Sequence, residues 1–256
     1  FMNRKNIKRI YFFGKLYSTQ YYLAALIISE VFNISVTYII GSGFIYGNKR
    51  HTNLPYCAFV CGSAVQLEEI KSLSKLGLFR YKSIEKWGTI KSFSFQKNNQ
   101  FKYDIGIYSS GEWARRNGVR QTNDIEGIKS KSYVDNARYH VFETVLTSVL
   151  LNFKHKKIVV YLHPYERDLL FYNGIKPPYF TMLDKNKILS DFVPGNSIEK
   201  IFQAKIGITV RSTISYERLE NKLPCYFFNF ATLNPDSGFK PEYLGKYSKY
   251  VYSSPD

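Results

Sequence analysis

The sequence predicts an α/β protein built on parallel sheets with helices on both faces, arranged in two lobes. Three observations predict it. Short β-branched and apolar runs alternate with stretches of helical period along most of the chain. Strands joined in this way by helices pair in parallel through right-handed crossovers. A polar stretch, Lys97-Asn98-Asn99-Gln100-Phe101-Lys102, interrupts the alternation and divides the chain into lobes of residues 1–100 and 101–256. Two strands in the second lobe also run straight into polar motifs, and open α/β sheets bind ligands at the carboxyl ends of their strands.

In the first lobe, residues 7–13 read as a strand, and Ser18 reads as the N-cap of a helix reaching Phe32. Residues 35–40 are β-branched and apolar and end at Gly41-Ser42-Gly43. That glycine pair lacks the third glycine and the following helix of a dinucleotide fingerprint, so it reads as a turn. After a loop with Gly47 and Pro55, residues 58–61 read as a short buried strand. Gly62-Ser63 then opens an amphipathic helix over 65–76, with Leu67, Ile70, Leu73 and Leu76 on one face.

The second lobe alternates more cleanly. Residues 103–108 read as a strand ending in Ser109-Ser110-Gly111-Glu112, with a polar loop over 117–132. A long helix over 133–153 carries Val134, Ala137, Val141, Val145 and Val149 on a helical period. Strand 158–162, helix 165–172 and a short strand near 181–183 follow. Helix 197–203, strand 206–210, helix 213–221 and strand 225–228 complete the alternation. No internal repeat is visible.

The chain has 256 residues, enough for one large domain or two small ones with a real core. Its 36 basic and 20 acidic residues give a formal charge of +16. Either this marks an anionic partner, such as acidic headgroups or a phosphorylated substrate, or it reflects dispersed solubilising lysines. Nucleic acid is disfavoured, because there is no zinc-finger spacing, RNP motif or long basic helix. Tyr and Phe, at 22 and 20, come with abundant Lys, Asn and Ile and read as compositional bias rather than a binding stripe. Cys57 and Cys61 have no second pair to complete a zinc site, and with Cys225 they read as buried reduced thiols.

The longest apolar run, 21–31, is interrupted by Ser29 and Glu30 and falls short of the roughly 18 residues a membrane span needs. No apolar core with a small-residue cleavage site follows the early basic residues. A cytoplasmic protein is expected, free or held peripherally at the inner face of the cell membrane.

The motifs at the strand ends offer groups that suit a phosphate. His163-Pro164 stops one strand, and the proline pre-sets the first turn of the next helix. The imidazole then projects into the crevice as a donor, with Glu166 following it; the plainer alternative is a histidine closing a turn. Arg211-Ser212-Thr213 sits at another strand-to-helix turn, where Ser212 or Thr213 caps the helix and its first N–H groups face an anion. Glu217 lies one helical turn beyond Thr213, either to hold sugar hydroxyls or to pair with a neighbouring cation. At Ser110-Gly111-Glu112, Gly111 allows close backbone approach. Glu112 is either a general base or a salt-bridge partner of Arg115 or Arg116. No metal cluster and no G-x-S-x-G elbow is present, and His140 reads as packing or surface.

His163-Pro164 at one strand end and Ser212-Thr213 at another resemble the donor-binding half of GT-B glycosyltransferases of bacterial surface-polysaccharide assembly. The nearest types are sialyltransferases, polysialyltransferases and Kdo transferases, and the likeness spans residues 103–230. It implies a GT-B-like pair of Rossmann-like lobes, the first a reduced or partial acceptor lobe. The implied donor is a nucleotide-sugar, CMP-linked in those types. The implied acceptor is a glycan or lipid-linked glycan of capsule or lipopolysaccharide.

By the same resemblance His163 binds phosphate and assists departure of the nucleotide, and Ser212 and Thr213 bind phosphate. Those families carry an acidic Asp/Glu-Asp/Glu-Gly base motif where this chain has Gly111-Glu112. The expected catalytic residues are therefore Glu112 and His163. The expected donor-binding residues are Ser110, Gly111, Pro164, Glu166, Arg211, Ser212, Thr213, Ser215 and Glu217. No metal or cofactor is expected, and inversion is the simplest course. A basic surface near a lipid-linked acceptor implies an anionic membrane as a further partner. The rival readings are a polyol-phosphate-type transferase and a non-catalytic nucleotide- or glycan-binding module.

Overall fold

The structure is a computed structural model that describes residues 7–13, 19–39, 53–87, 101–116, 128–186, 188–191, 197–210, 212, 214–228 and 241–252. It is an α/β fold with two sheets, and every strand pair in both is parallel. The chain forms two compact units, one of residues 1–93 with 238–248 and one of residues 94–237 with 249–256.

The first unit holds β1 (Arg9–Phe13), α1 (Thr19–Glu30), β2 (Ser35–Ile39), β3 (Asn53–Cys61), α2 (Ala64–Lys75) and β4 (Arg80–Lys86). The strands lie in the simple order β1-β2-β3-β4. Val36, Tyr38, Cys57, Phe59 and Cys61 alternate onto one face and pack with Ala25 of α1 and with Ile70 and Leu73 of α2. Both helices thus cover the same face, as right-handed crossovers between consecutive strands require. Ser63 and Gln66 cap the start of α2 in a variant of the capping box, in which Gln66 reaches the residue before the N-cap. The Ser63 hydroxyl accepts the Gln66 N–H at 3.0 Å, and the Gln66 amide oxygen accepts the Gly62 N–H at 2.8 Å.

The turn expected at Gly41-Ser42-Gly43 and the N-cap expected at Ser18 lie outside the described residues. β3 starts five residues earlier than the apolar run suggested, and its register against β4 shifts between Leu54 and Ala58, around Pro55. A proline cannot donate to the ladder, which fits an irregularity there. β4 was not anticipated at all. Its sequence, RYKSIEK, is an edge strand with most side chains exposed, so it carries no strong apolar alternation.

The second unit holds β5 (Tyr103–Tyr108), α3 (Glu112–Arg116), α4 (Ile128–Asn152), β6 (Ile158–Tyr161), α5 (Pro164–Asn173) and α6 (Phe180–Lys185). It continues with β7 (Leu189–Asp191), α7 (Ser197–Gln203), β8 (Ala204–Thr209), α8 (Ile214–Glu220), β9 (Cys225–Phe228) and β10 (Val251–Tyr252). The strand order is β10-β9-β8-β5-β6-β7. Counted from β5 as the first strand this is 3-2-1-4-5-6 read from the other side, the order of doubly wound Rossmann-like sheets.

Side chains alternate across the sheet. Ile105, Ile107, Ile158 and Val160 enter a core with Tyr139, Phe142, Val145, Leu146 and Val149 of α4 and with Trp113, Phe180 and Leu183. Tyr108, Val159 and Tyr161 point to the other face and pack with Ile214 of α8. Helices therefore cover both faces of this sheet. On the second face the Tyr108 and Tyr161 rings, opposite each other in the ladder, stack at 4.8 Å between centroids.

Arg218 of α8 is fully buried on this face. Its guanidinium donates to the carbonyls of Ile201, Ala204 (2.9 Å), Lys205 (3.1 Å) and Pro224 (3.2 Å), and to the Tyr108 hydroxyl (3.0 Å). One side chain thus ties the end of α7, the start of β8 and the turn before β9 to β5. Gly207 makes the room: a Cβ there would stand 2.5 Å from Arg218 Nε and 2.9 Å from Cys225 Sγ.

Residues 181–183, expected as a strand, belong to helix α6. Pro177-Pro178 sets the backbone for a helical start, with Phe180 and Thr181 donating to the carbonyls of Pro177 and Pro178. Phe180 and Leu183, three apart, then bury one helical face. The strand that pairs with β6 at this position is instead β7, with Leu189 opposite Val159. The loop expected over 117–132 gives way to helix at Ile128, where α4 begins.

Candidate functional site

β5 lies between β6 and β8, and the chain moves outward from β5 in both directions. The carboxyl ends of these three strands therefore flank a topological switch point, where doubly wound sheets open a crevice. At this edge Thr209 Oγ1 donates to the Tyr108 carbonyl at 2.7 Å, and the Ser109 N–H donates to the Tyr161 carbonyl at 3.0 Å. The three strand ends are held in fixed register where their loops begin.

The loop after β5 folds around the hydroxyl of Ser109. Its oxygen accepts the Gly111 N–H at 3.0 Å and contacts two buried carboxyl groups, Glu112 Oε2 at 3.0 Å and Glu166 Oε2. Glu112 Oε2 also accepts the Ser110 N–H at 2.8 Å. Glu166 accepts the Trp113 N–H at 3.2 Å and the Tyr179 hydroxyl at 3.3 Å. Glu112 is 1 % exposed and Glu166 0 %.

One serine hydrogen cannot serve two carboxylates. If Ser109 donates to one of them, the other must carry a proton and donate to Ser109 Oγ. The pair therefore holds a proton between them, and like charges this close favour that state. Burial pushes Glu112 upward from the ordinary carboxylate range. Burial, then the neighbouring Glu112 charge, pushes Glu166 up to about 7. The second Glu112 oxygen, Oε1, is buried and has no hydrogen-bond partner. The side chains of Arg115 and Arg116, the alternative partners of Glu112, lie outside the described residues.

The loop after β6 meets this group directly. His163 is the N-cap of α5, and its Nδ1 accepts the Tyr165 N–H at 3.2 Å. Accepting there leaves Nδ1 unprotonated, so the neutral ring carries its hydrogen on Nε2. Pro164 takes the first helical position and is exposed. Gly111 has φ +79°, and a Cβ on it would stand 2.9 Å from His163 Nδ1. Glycine is thus required twice over, by the left-handed backbone and by the imidazole packed against it. Glu166, in the first turn of α5, faces inward and links α5 to the β5 loop through Ser109 and Trp113.

The loop after β8 starts α8. Ser212 Oγ accepts the Ile214 N–H at 3.4 Å, and the Ser212 carbonyl accepts the Ser215 N–H at 3.1 Å and the Ser215 hydroxyl at 2.6 Å. Ser212 is half-buried, while Ser215 and Glu217 are buried on the helix. Arg211 and Thr213 lie outside the described residues.

The structure therefore brings Ser110, Gly111, Glu112, His163, Pro164 and Glu166 into one cluster, with Ser212 and Ser215 at the adjoining strand end. Sequence reasoning did not assign roles to Ser109, Tyr179 or Arg218. Ser109 lay within a motif already singled out, so its place beside Glu112 was the available signal. Tyr179 sits in a loop with no pattern around it. Arg218 lies in a Glu-Arg-Leu-Glu run that reads as a solvated helix face. Among the described residues, no three of His, Cys, Asp and Glu come together as a metal site.

The second unit is thus an α/β domain with Rossmann-like strand order and a polar cluster at its switch point. In comparisons with known proteins, no family model matches the chain and no curated protein matches it.

Proposed function

We propose that the chain is a GT-B-type glycosyltransferase that moves a sugar from a nucleotide-sugar donor to a bacterial surface glycan, of capsule or lipopolysaccharide. The observation that carries this reading is that the loop after β5, with Glu112, and the turn after β6, with His163, pack together at the carboxyl edge of the sheet through Gly111 against the imidazole. One group there is fitted to take a proton and the other to give one. A buried carboxyl with raised proton affinity is suited to general base work near neutral pH. A neutral imidazole with hydrogen on Nε2 is suited to donate to a phosphate oxygen.

In this mechanism the acceptor hydroxyl attacks the anomeric carbon from the side opposite the nucleotide. The bond from that carbon to the nucleotide phosphate oxygen breaks as the new glycosidic bond forms, with inversion. Glu112 takes the hydroxyl proton. His163, together with the Ser212 hydroxyl on the β8 loop, stabilises the negative charge on the departing phosphate. These donors and the positive end of the α5 dipole, where the first N–H groups are already bonded to His163, favour a leaving phosphate, so the reading calls for no metal. The reading sets the enzyme at the cytoplasmic side of the membrane. No helix among the described residues is long and apolar enough to cross a bilayer.

A thermal-shift panel of CMP, CDP, UDP, GDP, TDP and their sugar conjugates tests the reading, because a ligand of the native state raises the melting temperature by mass action. A selective shift with one nucleotide, lost in His163→Asn and Ser212→Ala, is expected. Asparagine keeps the helix cap, so loss of the shift reports the imidazole rather than the fold. A shift of equal size in both variants, or none with any nucleotide, rejects the donor site.

A further inference from the structure

The amino-terminal edge of the second unit's sheet, at the far end of the strands from the candidate site, displays apolar side chains that the fold leaves uncovered. Leu151 is 61 % exposed, Phe171 58 %, Ile175 48 %, Phe101 44 % and Phe153 42 %. Topology collects them. α4 and α5 run back against the strands they connect, so their carboxyl ends, with Leu151, Phe153, Phe171 and Ile175, fall where strands begin. Phe101 precedes β5. Hydrogen bonds join the segments at this edge: Asp104 N–H to the Lys157 carbonyl at 2.8 Å, and Lys102 N–H to the Gln203 carbonyl at 2.9 Å.

Lysines stand among these residues. Lys102 adjoins Phe101, Lys154, Lys156 and Lys157 follow Phe153, and Lys176 follows Ile175, all of them exposed. The carboxylate in these segments, Asp104, is half-buried and accepts the Lys157 backbone N–H at 2.9 Å, one negative charge against five exposed lysines.

We propose that this edge docks on an anionic lipid bilayer. Single exposed apolar residues are ordinary on a protein surface. Here large apolar side chains alternate with lysines along one sheet edge, the pattern of an interfacial membrane contact in which rings and aliphatic chains enter the headgroup region and ammonium groups meet lipid phosphates. Leucine and isoleucine gain nothing from a nucleic-acid backbone. A second copy of a chain of formal charge +16 would bring like charges together at this patch. The docking stands independently of the glycosyltransferase reading, because it uses neither its site nor its substrate.

Co-sedimentation of the full chain with phosphatidylcholine vesicles, with and without phosphatidylglycerol, tests the proposal. Binding to the anionic vesicles only, and its loss in molar salt where the Debye length shrinks to about 3 Å, is expected. The triple variant Lys154→Gln, Lys156→Gln, Lys157→Gln should bind about fivefold more weakly per lysine removed, or about 100-fold in all. The double variant Leu151→Gln, Phe171→Gln should bind at least about tenfold more weakly. Melting temperatures should stay at the wild-type value in both, since every site is exposed, and Phe171→Gln alone serves if the double variant melts early. No binding to anionic vesicles, or binding unchanged by both variants, overturns the proposal. Loss of RNA or DNA binding in the lysine variant without vesicle binding assigns the edge to nucleic acid instead. Self-association abolished by the apolar variant, again without vesicle binding, assigns it to a second copy.

Discussion

Replacing Glu166 with glutamine should remove a pH-dependent weakness from the fold. In the folded protein, burial and the adjacent Glu112 charge raise the Glu166 carboxyl from 4.5 to about 7. Between these values the folded state holds a proton that the unfolded chain releases. Stability from this group is therefore full below about pH 4.5, falls as pH rises, and is lost above about pH 7. The separation of the two values corresponds to roughly 3 kcal/mol. Glutamine is neutral at every pH and nearly isosteric. Its oxygen still accepts the Trp113 N–H, and its NH2 replaces the shared proton at Ser109 Oγ and donates to the Tyr179 hydroxyl, reversing the bond that Tyr179 makes to the carboxyl.

The assay is the melting temperature of wild type and Glu166→Gln across pH 4.5 to 8.5. Other titrating groups act on both proteins, so the difference between the curves isolates this site. The two should nearly coincide at the acid end. At the alkaline end the variant should melt higher, by up to about 6–12 °C if the whole effect is realised. Curves that stay parallel across the range, or a variant that loses stability most at high pH, would refute the shared-proton account.

Gly111→Ala should lose about 1–2 kcal/mol from the left-handed backbone alone, because φ is +79°. It should also displace His163, which urea denaturation together with the nucleotide shift would register; an alanine variant with wild-type values in both would contradict the packing described. Arg218→Leu removes the guanidinium donor of the Ile201, Ala204 and Lys205 carbonyls, and leaves the Pro224 carbonyl with the Gly207 N–H; it should cost at least about 3 kcal/mol. Arg218→Lys should not rescue it, since an ammonium lacks the planar fork; a loss under about 1 kcal/mol by urea denaturation would count against the staple. Burial pushes the Cys57 and Cys225 thiols up to about 12, so both should resist Ellman's reagent at pH 8 until the protein is unfolded. Rapid native labelling of either would contradict their burial.

Much of the second unit was legible in the sequence because its strands are short apolar runs closed by turn residues. Residues 103–108 and 225–228 fall where β5 and β9 lie, and 197–203 where α7 lies. The parallel pairing followed from the helices between strands. β4 was not legible, because an exposed edge strand has little to bury and its charged side chains hide the period. α6 was misread because Thr181-Met182-Leu183 fits either period over so short a span, and the proline pair before it decides the outcome.

At the site, the sequence placed His163 and Glu112 at strand ends but not in neighbouring loops that pack together. The packing of their two loops depends on β5 and β6 being neighbours in the sheet and on the lack of a side chain at Gly111, which lies against His163. It also gave no sign that Glu166 turns inward. A first-turn glutamate reads the same whether it faces solvent or the neighbouring loop, and only the packing of α5 against the β5 loop selects the buried face. The docking edge was legible only as net charge, since exposure of its apolar residues is a property of the folded chain.

The most direct test of the central claim is nucleotide release from a mixture of CMP-, UDP-, GDP- and TDP-sugars by wild type, Glu112→Gln and His163→Asn, followed by mass spectrometry. The account predicts release from one donor class by wild type, with Glu112→Gln slower by about 10²–10⁴-fold and the fold intact in both variants. Release from none of the donors, or release unchanged by both substitutions, would contradict it.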